Sequence, residues 1–265
     1  MKTLAAIDSS DSAPGVLETA RSLAALLATE VEAVHVYERG GQAPTAMASA
    51  ARVTVRTSLG DPTAGILEAI GDDSVVMAVI GTGGVGAGRA AAGHVARRVM
   101  TSTSKPVVLV PPDSVGLDPA GPVKVIVPLD GASATTGGLR AVLDRLAEHD
   151  MEIVAMHVLN AANAPKYWDH FYYDFPAWHE RFRQDNCRSP SVRLEVGRGS
   201  VVAEVLRLAK AEGAGLIAVA WSQDLGPGHA PVVTELLRST RVPVLLVPVD
   251  MAAARPAPLL LEHAA

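Results

Sequence analysis

The chain alternates between short apolar runs and longer stretches in which apolar residues recur at helical spacing. The longer stretches predict helices, one beginning after Ser12 and Pro14 and another after Asp61, because such residues suit a helix N-terminus. Strands separated by helices predict right-handed crossovers and a parallel sheet with helices on both faces. The apolar runs place the strands near residues 3–7, 31–37, 53–58, 75–80, 106–110, 123–129, 152–159, 192–196, 215–220 and 243–249.

This pattern occurs twice along the chain. Asp8 and Asp130 each follow the first strand of a copy and lie 122 residues apart. His35 and His157, near the end of the second strand of each copy, repeat that separation of 122 residues. At the last strand the separation is 137 residues, so the second copy carries fifteen extra residues. The sequence is therefore a tandem repeat of one α/β unit.

Proline and glycine in the segment between the copies mark a linker. We predict an N-terminal domain at residues 1–112, a C-terminal domain at residues 122–250 and a flexible, mostly disordered tail at residues 251–265. The extra residues of the second copy form an insertion near residues 160–190. This insertion holds eight of the ten aromatic residues of the chain within 16 positions.

Composition and charge narrow the class of protein. Apolar residues make up 49% of the chain, and no run approaches the roughly 20 residues that a bilayer span needs. The apolar stretch before Asp8 is too short for a secretory signal peptide. A net charge of −5 argues against a nucleic-acid binder that relies on a basic face. Cys187, the single cysteine, excludes a disulfide framework and fits a cytoplasmic protein with an inert or mildly reactive thiol.

Residues 81–94, GTGGVGAGRAAAGH, are rich in glycine. Gly81, Gly83 and Gly86 satisfy G-x-G-x-x-G, but they follow the fourth strand of the copy rather than the first. We therefore reject a dinucleotide-binding fold. No Walker A lysine is present, which argues against P-loop hydrolysis of a nucleoside triphosphate. Two interpretations stay open: the bare amides bind phosphate, or the loop holds no ligand.

The motifs of both copies together resemble the universal stress protein family. They are Asp-x-Ser after the first strand, A-x-H-V in the second, a strand–glycine loop–helix unit and a final x-P-V-x-L-V-P strand. The resemblance covers residues 2–112 and 122–250. It implies two five-stranded parallel sheets of order 3-2-1-4-5 that pair through their last strands as an internal pseudo-dimer, with a further homodimer expected. In such a sheet the order reverses between strands one and four, and ligands bind at that switch point.

The resemblance also implies an adenine nucleotide such as ATP at the N-terminal site. In nucleotide-binding members the loop after strand four holds phosphates and ribose, while the first-strand aspartate and the end of strand two hold adenine. Here one residue is missing before Gly93, and His94 stands where the family has Ser or Thr. The residues implied for this site are Asp8, Ser9, Ser10, Val36, Gly81, Thr82, Gly84, Gly93 and His94.

The equivalent site of the second copy departs further from the family pattern. Trp221 stands where the loop should begin with glycine, Asp224 would repel phosphate and Pro231 replaces the Ser or Thr. We therefore expect this site to be lost for ATP. Its candidate residues are Asp130, Val158, Trp221 and Ser222.

Two pairs of candidates also have a purely structural interpretation. Asp8 and Asp130 would stabilise the following helix through an Asx turn, with Ser12 or Ser133 helping to cap it. Both roles are compatible with contacts to adenine. The two repeated histidines are predicted to be partly buried and structural, because their recurrence in both copies favours packing over chemistry.

The aromatic segment 166–182, KYWDHFYYDFPAWHERF, has three interpretations. In one interpretation it forms a helical lid over the ligand-binding crevice of the second copy. In another it forms a dimer surface, since aromatic residues anchor interfaces. A metal site built from its acidic and histidine side chains is the least favoured, because a proline interrupts their helical spacing. We also expect Trp221 to meet this cluster and to close the second site with apolar bulk.

We therefore expect a cytoplasmic universal stress protein that acts as a regulatory binding module in the stress response and is not an enzyme. A second hypothesis is a nucleotide-independent protein that uses segment 166–182 to bind a protein partner or a small ligand. A third, an enzyme such as a slow ATPase or an oxidoreductase, has no acid–base pair in its support. No catalytic residue and no metal ligand is assigned, and neither nucleic acid nor a membrane is an expected partner.

Overall fold

The structure is a computed structural model. It describes residues 1–37, 53–83, 92–114, 116–117, 122–149, 151–161, 163–164, 174–187, 189, 192–226 and 230–249. The predicted tail, residue Gly84 and much of the aromatic segment lie outside these residues.

The N-terminal half contains five strands and three helices among its described residues. Each strand lies within two residues of its predicted position. In chain order the elements are β1 (Lys2–Ala6), α1 (Ala13–Leu26), β2 (Glu30–Tyr37), β3 (Thr54–Leu59), α2 (Pro62–Gly71), β4 (Val75–Gly81), α3 (His94–Ser102) and β5 (Val107–Val110).

The C-terminal half repeats this order and has one further described helix, α5, in the predicted insertion. Its elements are β6 (Lys124–Pro128), α4 (Ser133–Glu148), β7 (Glu152–Leu159), α5 (Phe175–Asn186), β8 (Arg193–Arg198), α6 (Val201–Glu212), β9 (Leu216–Trp221), α7 (Pro231–Ser239) and β10 (Val244–Pro248).

All ten strands form one sheet of order β3-β2-β1-β4-β5-β10-β9-β6-β7-β8. Within each half the strands are parallel and follow the predicted order 3-2-1-4-5. The halves join where β5 and β10 pair antiparallel, with Leu109 opposite Val244 and Val107 opposite Leu246. The predicted fold class and the internal pseudo-dimer are confirmed.

Two hydrophobic cores cover the two faces of this sheet, because successive strand residues point to opposite sides. On one side, the α6/α7 face, helices α2, α3, α6 and α7 pack on residues such as Val154 and Ile217. On the other, the α1/α4 face, α1 and α4 pack on residues such as Val125 and Leu216. Each core runs through both halves, so the halves share their hydrophobic interior.

The predicted helix starts are confirmed, but two predicted serine caps are wrong. The Asp61 carboxylate accepts a hydrogen bond from the backbone N–H of Ala64 (2.8 Å) and caps α2, and Pro14 lies in the first turn of α1. Ser12 occupies the N-cap position of α1 without a capping bond. Ser133 caps nothing either, since the N-cap residue of α4 is Ala132. The Ser12 hydroxyl instead makes contacts in the candidate site of the N-terminal half, which is described in the next section.

Candidate ligand-binding sites

Asp8 lies just beyond β1, at the point in the N-terminal half where the strand order reverses. Its Oδ1 atom accepts hydrogen bonds from the backbone N–H of Ser10 (3.0 Å) and from the Ser10 hydroxyl. The predicted Asx turn is therefore present. Among the described residues, Oδ2 of Asp8 has no hydrogen-bond partner.

The serines after Asp8 connect it to the segment that follows β4. Ser12 Oγ lies 2.8 Å from Ser10 Oγ and 3.4 Å from the carbonyl oxygen of Gly83. A Cβ atom built on Gly81 would lie 3.1 Å from the Ser12 hydroxyl, so the strand end and the turn approach each other closely. The structure thus brings Asp8, Ser10 and the start of the glycine segment to one crevice, while Ser9 is exposed beside them.

The two ends of the glycine loop meet at the end of β4. The backbone N–H of Gly93 donates to the carbonyl oxygen of Thr82 (2.8 Å), which closes the base of the loop. Thr82 is buried, and its hydroxyl donates to the carbonyl oxygen of Val110 in β5 at 3.3 Å. The side chain of this predicted ligand-binding residue therefore already has a partner within the protein. Gly93 is the N-cap of α3, and His94 begins that helix as an exposed residue.

The repeated histidines occupy equivalent buried positions. The Nδ1 atom of His35 lies 2.9 Å from the carbonyl oxygen of Ile7, and that of His157 lies 2.8 Å from the carbonyl oxygen of Leu129. Each imidazole therefore donates its proton to the segment that follows the neighbouring strand, β1 or β6. The structural interpretation of both histidines is confirmed, and both are more deeply buried than expected.

The C-terminal half contains a pocket of about 1000 Å³ at the carboxyl ends of its strands. All four predicted second-site residues line it, namely Asp130, Val158, Trp221 and Ser222. Asp130 repeats the Asx turn, since Oδ1 accepts from the backbone N–H of Ala132 (2.9 Å) and Oδ2 accepts from the Thr135 hydroxyl (3.1 Å). The prediction that Trp221 and the aromatic segment close this crevice with apolar bulk falls largely on residues outside the described part of the chain, and the described residues leave a pocket there.

Helix α5, the described part of the aromatic segment, contributes no residue to the lining of this pocket. Trp178 and Phe182 pack on His157, with ring centroids 5.7 and 4.4 Å from its ring, and Phe182 belongs to the α1/α4 face. Trp221 belongs to the opposite face. The predicted contact between Trp221 and the aromatic cluster is therefore not made by the described part of that cluster, because side chains on opposite faces of a sheet cannot meet.

A contact between the two halves borders this pocket, and no motif in the sequence predicts it. Gln223, with a φ of +61°, directs its amide into the N-terminal half. Its Nε2 atom donates to the carbonyl oxygens of Met100 (3.2 Å) and Thr103 (2.6 Å), at the C-terminal end of α3. Ser104, which follows Thr103 in the chain, lines the pocket. The N-terminal half therefore contributes a residue to the pocket of the C-terminal half.

Cys187 is a free, buried thiol. Burial raises its pKa to about 11, so the thiol stays protonated near neutral pH, which supports the expected inert role. In the described part of the chain, no group of three or more His, Cys, Asp or Glu side chains could hold a metal ion. No helix among the same residues is long and apolar enough to cross a membrane.

Comparison with known proteins assigns a class to this fold. Residues 123–248 match the model of the universal stress protein family, so the C-terminal half carries a domain of that family. A search of curated proteins returns no match.

Solved structures extend the likeness to both halves. A universal stress protein from Archaeoglobus fulgidus DSM 4304 is 15% identical, with a TM-score of 0.66 over 93% of this chain and 98% of that chain. A putative universal stress protein from Pseudomonas aeruginosa UCBPP-PA14 is 13% identical, with a TM-score of 0.64 over 94% of this chain and 93% of that chain. At such low identity these likenesses show that the chain shares the tandem fold.

Proposed function

We propose that this protein is a tandem universal stress protein and a cytoplasmic regulatory binding module that holds an adenine nucleotide in its N-terminal half. The observation that carries the proposal is the position of Asp8, whose carboxylate is fixed by an Asx turn beside the Gly81–Gly83 segment at the switch point of the sheet. The family model on the C-terminal half and the tandem fold support it.

Asp8 suits the recognition of an adenine amino group. Both of its internal hydrogen bonds end on Oδ1, which leaves Oδ2 as an acceptor for a ligand N–H. A hydrogen bond to a charged carboxylate contributes about 1.5–3 kcal/mol. Val36 lies near the end of the neighbouring strand β2, and its backbone is our candidate for a contact with the base.

The phosphate end of the nucleotide would lie at the N-terminus of α3. The first backbone N–H groups of a helix are free donors, and the helix dipole favours an anion there. Gly93 caps this helix without a side chain, and the exposed His94 imidazole follows it. Gly84, the remaining residue predicted for this site, lies outside the described residues.

A binding role fits the described chemistry better than catalysis. The two buried histidines already donate to backbone carbonyl groups, and the Asp8 and Asp130 carboxylates are held in turns. Neither pair is arranged as a general acid and a general base around one crevice. We therefore propose that the protein is not an enzyme.

One observation favours a second candidate function, binding of a protein partner through α5. This helix has no fully buried residue, and it carries the contacting rings of Phe175, Trp178 and Phe182. The first partner to test is a second copy of this chain, which would form a homodimer through α5. Sedimentation of the full chain and of its Trp178→Ala variant measures this self-association.

The nucleotide proposal is tested on the full chain. Purified protein is denatured and the released small molecules are identified by mass spectrometry, and ATP is then titrated into the protein by calorimetry. We expect Asp8→Ala to weaken ATP binding at least about tenfold, since it removes a charged hydrogen-bond partner. Asp11→Ala is the matched control, because Asp11 is exposed in the same turn and makes no contact in the site.

Equal binding by wild type and Asp8→Ala would contradict the proposal, as would the absence of binding up to millimolar ATP. Gly93→Val gives an independent test. The backbone of Gly93 has φ −64° and ψ 166°, which valine adopts readily, so loss of binding with an unchanged melting temperature reports a steric block at the phosphate end.

A further inference from the structure

We propose that the pocket of the C-terminal half binds an uncharged small molecule with an aromatic or alicyclic body, held by apolar contact rather than by charge. The proposal does not depend on nucleotide binding by the N-terminal half. It follows from the shape of the pocket, from its walls and from the partners that its polar side chains already have within the protein.

The cavity is large enough for a small molecule and opens where the sheet splits. In the N-terminal half, β1 and β4 stay paired as far as Ala6 and Ile80. In the C-terminal half, the pairing of β6 with β9 ends at Ile126 and Ile217, before either strand ends. The strands part there, and the pocket of about 1000 Å³ lies at their carboxyl ends, the position where open α/β sheets bind ligands.

A proline lies on β6 where this split occurs. The backbone N–H of Leu129 donates to the carbonyl oxygen of Met156 in β7, so the preceding residue, Pro128, directs its backbone towards β9. Proline has no N–H with which to continue the pairing on that side. Ala6, which holds the equivalent position in β1, is paired with β4.

The walls of the pocket are apolar and belong to the α6/α7 face. Met156, Val158 and Val219 come from the strands, and Val232 and Val233 come from the first turn of α7. Such walls stabilise the hydrocarbon body of a ligand by removing it from water.

Trp221 is the aromatic residue among the described lining residues. Its side chain is 3% exposed, and its Nε1 atom is buried without a hydrogen-bond partner in the described part of the chain. Because Nε1 is buried, the edge of the indole that reaches the pocket consists of carbon atoms. This edge offers a flat or aromatic ligand a packing surface rather than a hydrogen bond.

Three polar side chains of the lining already have hydrogen-bond partners within the protein. Asp130 accepts from the Ala132 N–H through Oδ1 and from the Thr135 hydroxyl through Oδ2. Asn163 accepts from one backbone N–H and donates to one carbonyl oxygen, while Nε2 of Gln223 donates to two carbonyl oxygens of the N-terminal half. A ligand that needs these groups would have to break existing bonds, whereas an apolar ligand leaves them intact.

The carboxylates and the free hydroxyls of the lining lie at the mouth of the pocket. Asp130 and Asp224 are exposed, and Oδ1 of Asp224 accepts from the backbone N–H of Gly226 at 2.7 Å. Ser104 and Ser222 are also exposed, and their hydroxyls have no hydrogen-bond partner among the residues that the structure describes. A hydroxyl or carbonyl group of the ligand can therefore bond at the mouth. A charged group carried further inside would lose its water and meet apolar walls.

The experiment uses three probes of one shape and different charge: 2-naphthol, 2-naphthoate and 2-naphthylmethylammonium. Each is titrated by calorimetry into the full chain at neutral pH. We expect 2-naphthol to bind at least about tenfold more tightly than either charged probe, because only the charged probes lose strong hydration. Asp130→Asn should leave the affinity for 2-naphthol within about twofold of wild type, because the carboxylate makes its hydrogen bonds inside the protein.

Val232→Phe fills the pocket from its half-buried rim and should weaken 2-naphthol at least about tenfold. Val242→Phe is the matched control, because Val242 is half-buried on the same face and does not line the pocket. It should bind 2-naphthol as wild type does, and a cooperative melting transition in each variant shows that it folds.

The proposal is overturned if either charged probe binds as tightly as 2-naphthol, or if 2-naphthol does not bind up to millimolar concentration. Equal binding by Val232→Phe and Val242→Phe would overturn it too, as would displacement of bound 2-naphthol by ATP. Binding of 2-naphthol that persists in Asp8→Ala supports it, because this variant alters only the site proposed for the nucleotide.

Discussion

The two halves of the molecule share one fold, but different residues lie at their ligand-binding crevices. Both halves place an Asx turn after the first strand and a buried histidine that donates to the backbone beyond that strand. At the end of the fourth strand, however, Gly81 in one half corresponds to Trp221 in the other. The turns and the histidines are common to both halves, whereas the strand end differs, and we propose that this difference decides which ligand each crevice accepts.

A second exchange between the halves concerns the packing of a helix on a strand. In the N-terminal half, Gly65 of α2 lets that helix approach Val36, and a Cβ atom there would lie 2.7 Å from the Val36 Cγ2 atom. In the C-terminal half the glycine is on the strand instead, and a Cβ on Gly197 would lie 2.7 Å from Met156 Cε and 2.9 Å from Glu204 Oε2, both at the ends of flexible side chains. Because the ends of Met156 and Glu204 can move aside while Val36 is stiff, the approach at Gly65 is the more restricted of the two.

The largest expected effect on stability comes from Trp221→Ala. Trp221 is buried in the core of the α6/α7 face, and truncation of a buried tryptophan costs about 3–5 kcal/mol of the free energy of unfolding. Denaturant unfolding of the full chain measures this loss. Leu59→Ala is the control, because Leu59 is 59% exposed and its truncation should change the free energy of unfolding by less than about 0.5 kcal/mol. Similar losses in both variants would show that Trp221 is not a core residue.

A smaller effect is expected from Gly65→Ala. The added methyl group meets the stiff, buried side chain of Val36, and such overpacking costs about 1–3 kcal/mol. Gly71→Ala in the same helix is the matched variant, since no atom lies within 4 Å of a Cβ there and alanine favours helix. Unfolding measurements should find Gly65→Ala destabilised and Gly71→Ala unchanged or more stable. If Gly65→Ala is as stable as Gly71→Ala, the helix approach is not restricted at this position.

The smallest effect is expected from Gln223→Asn at the contact between the halves. Asparagine tolerates the positive φ but is one methylene too short to reach both carbonyl groups, so about 1 kcal/mol of stability should be lost. Gln184→Asn, on exposed α5, should change the unfolding free energy by less than about 0.5 kcal/mol. An unchanged unfolding curve for Gln223→Asn would mean that this contact adds nothing to the joining of the halves.

The positions of the strands and the tandem repeat could be predicted from the apolar pattern and from repeated residues such as Asp8 and Asp130, whereas the strand order and the joining of the halves came from the resemblance to a known family. Interactions between distant segments could not be predicted. Ser12 looks like a helix cap, yet its hydroxyl turns towards the Gly83 carbonyl, 71 positions away. The pocket beside Trp221 depends on where β6 and β9 stop pairing, and no short motif records that point.

The central proposal is that an adenine nucleotide binds in the N-terminal half and not in the C-terminal half. Photolabelling of the full chain with 8-azido-ATP, followed by mass spectrometry of the labelled peptides, tests it most directly. Labelling that excess ATP displaces should map to peptides from residues 1–112 and should disappear in Asp8→Ala. ATP-displaceable labelling of peptides from residues 122–250 would contradict the claim.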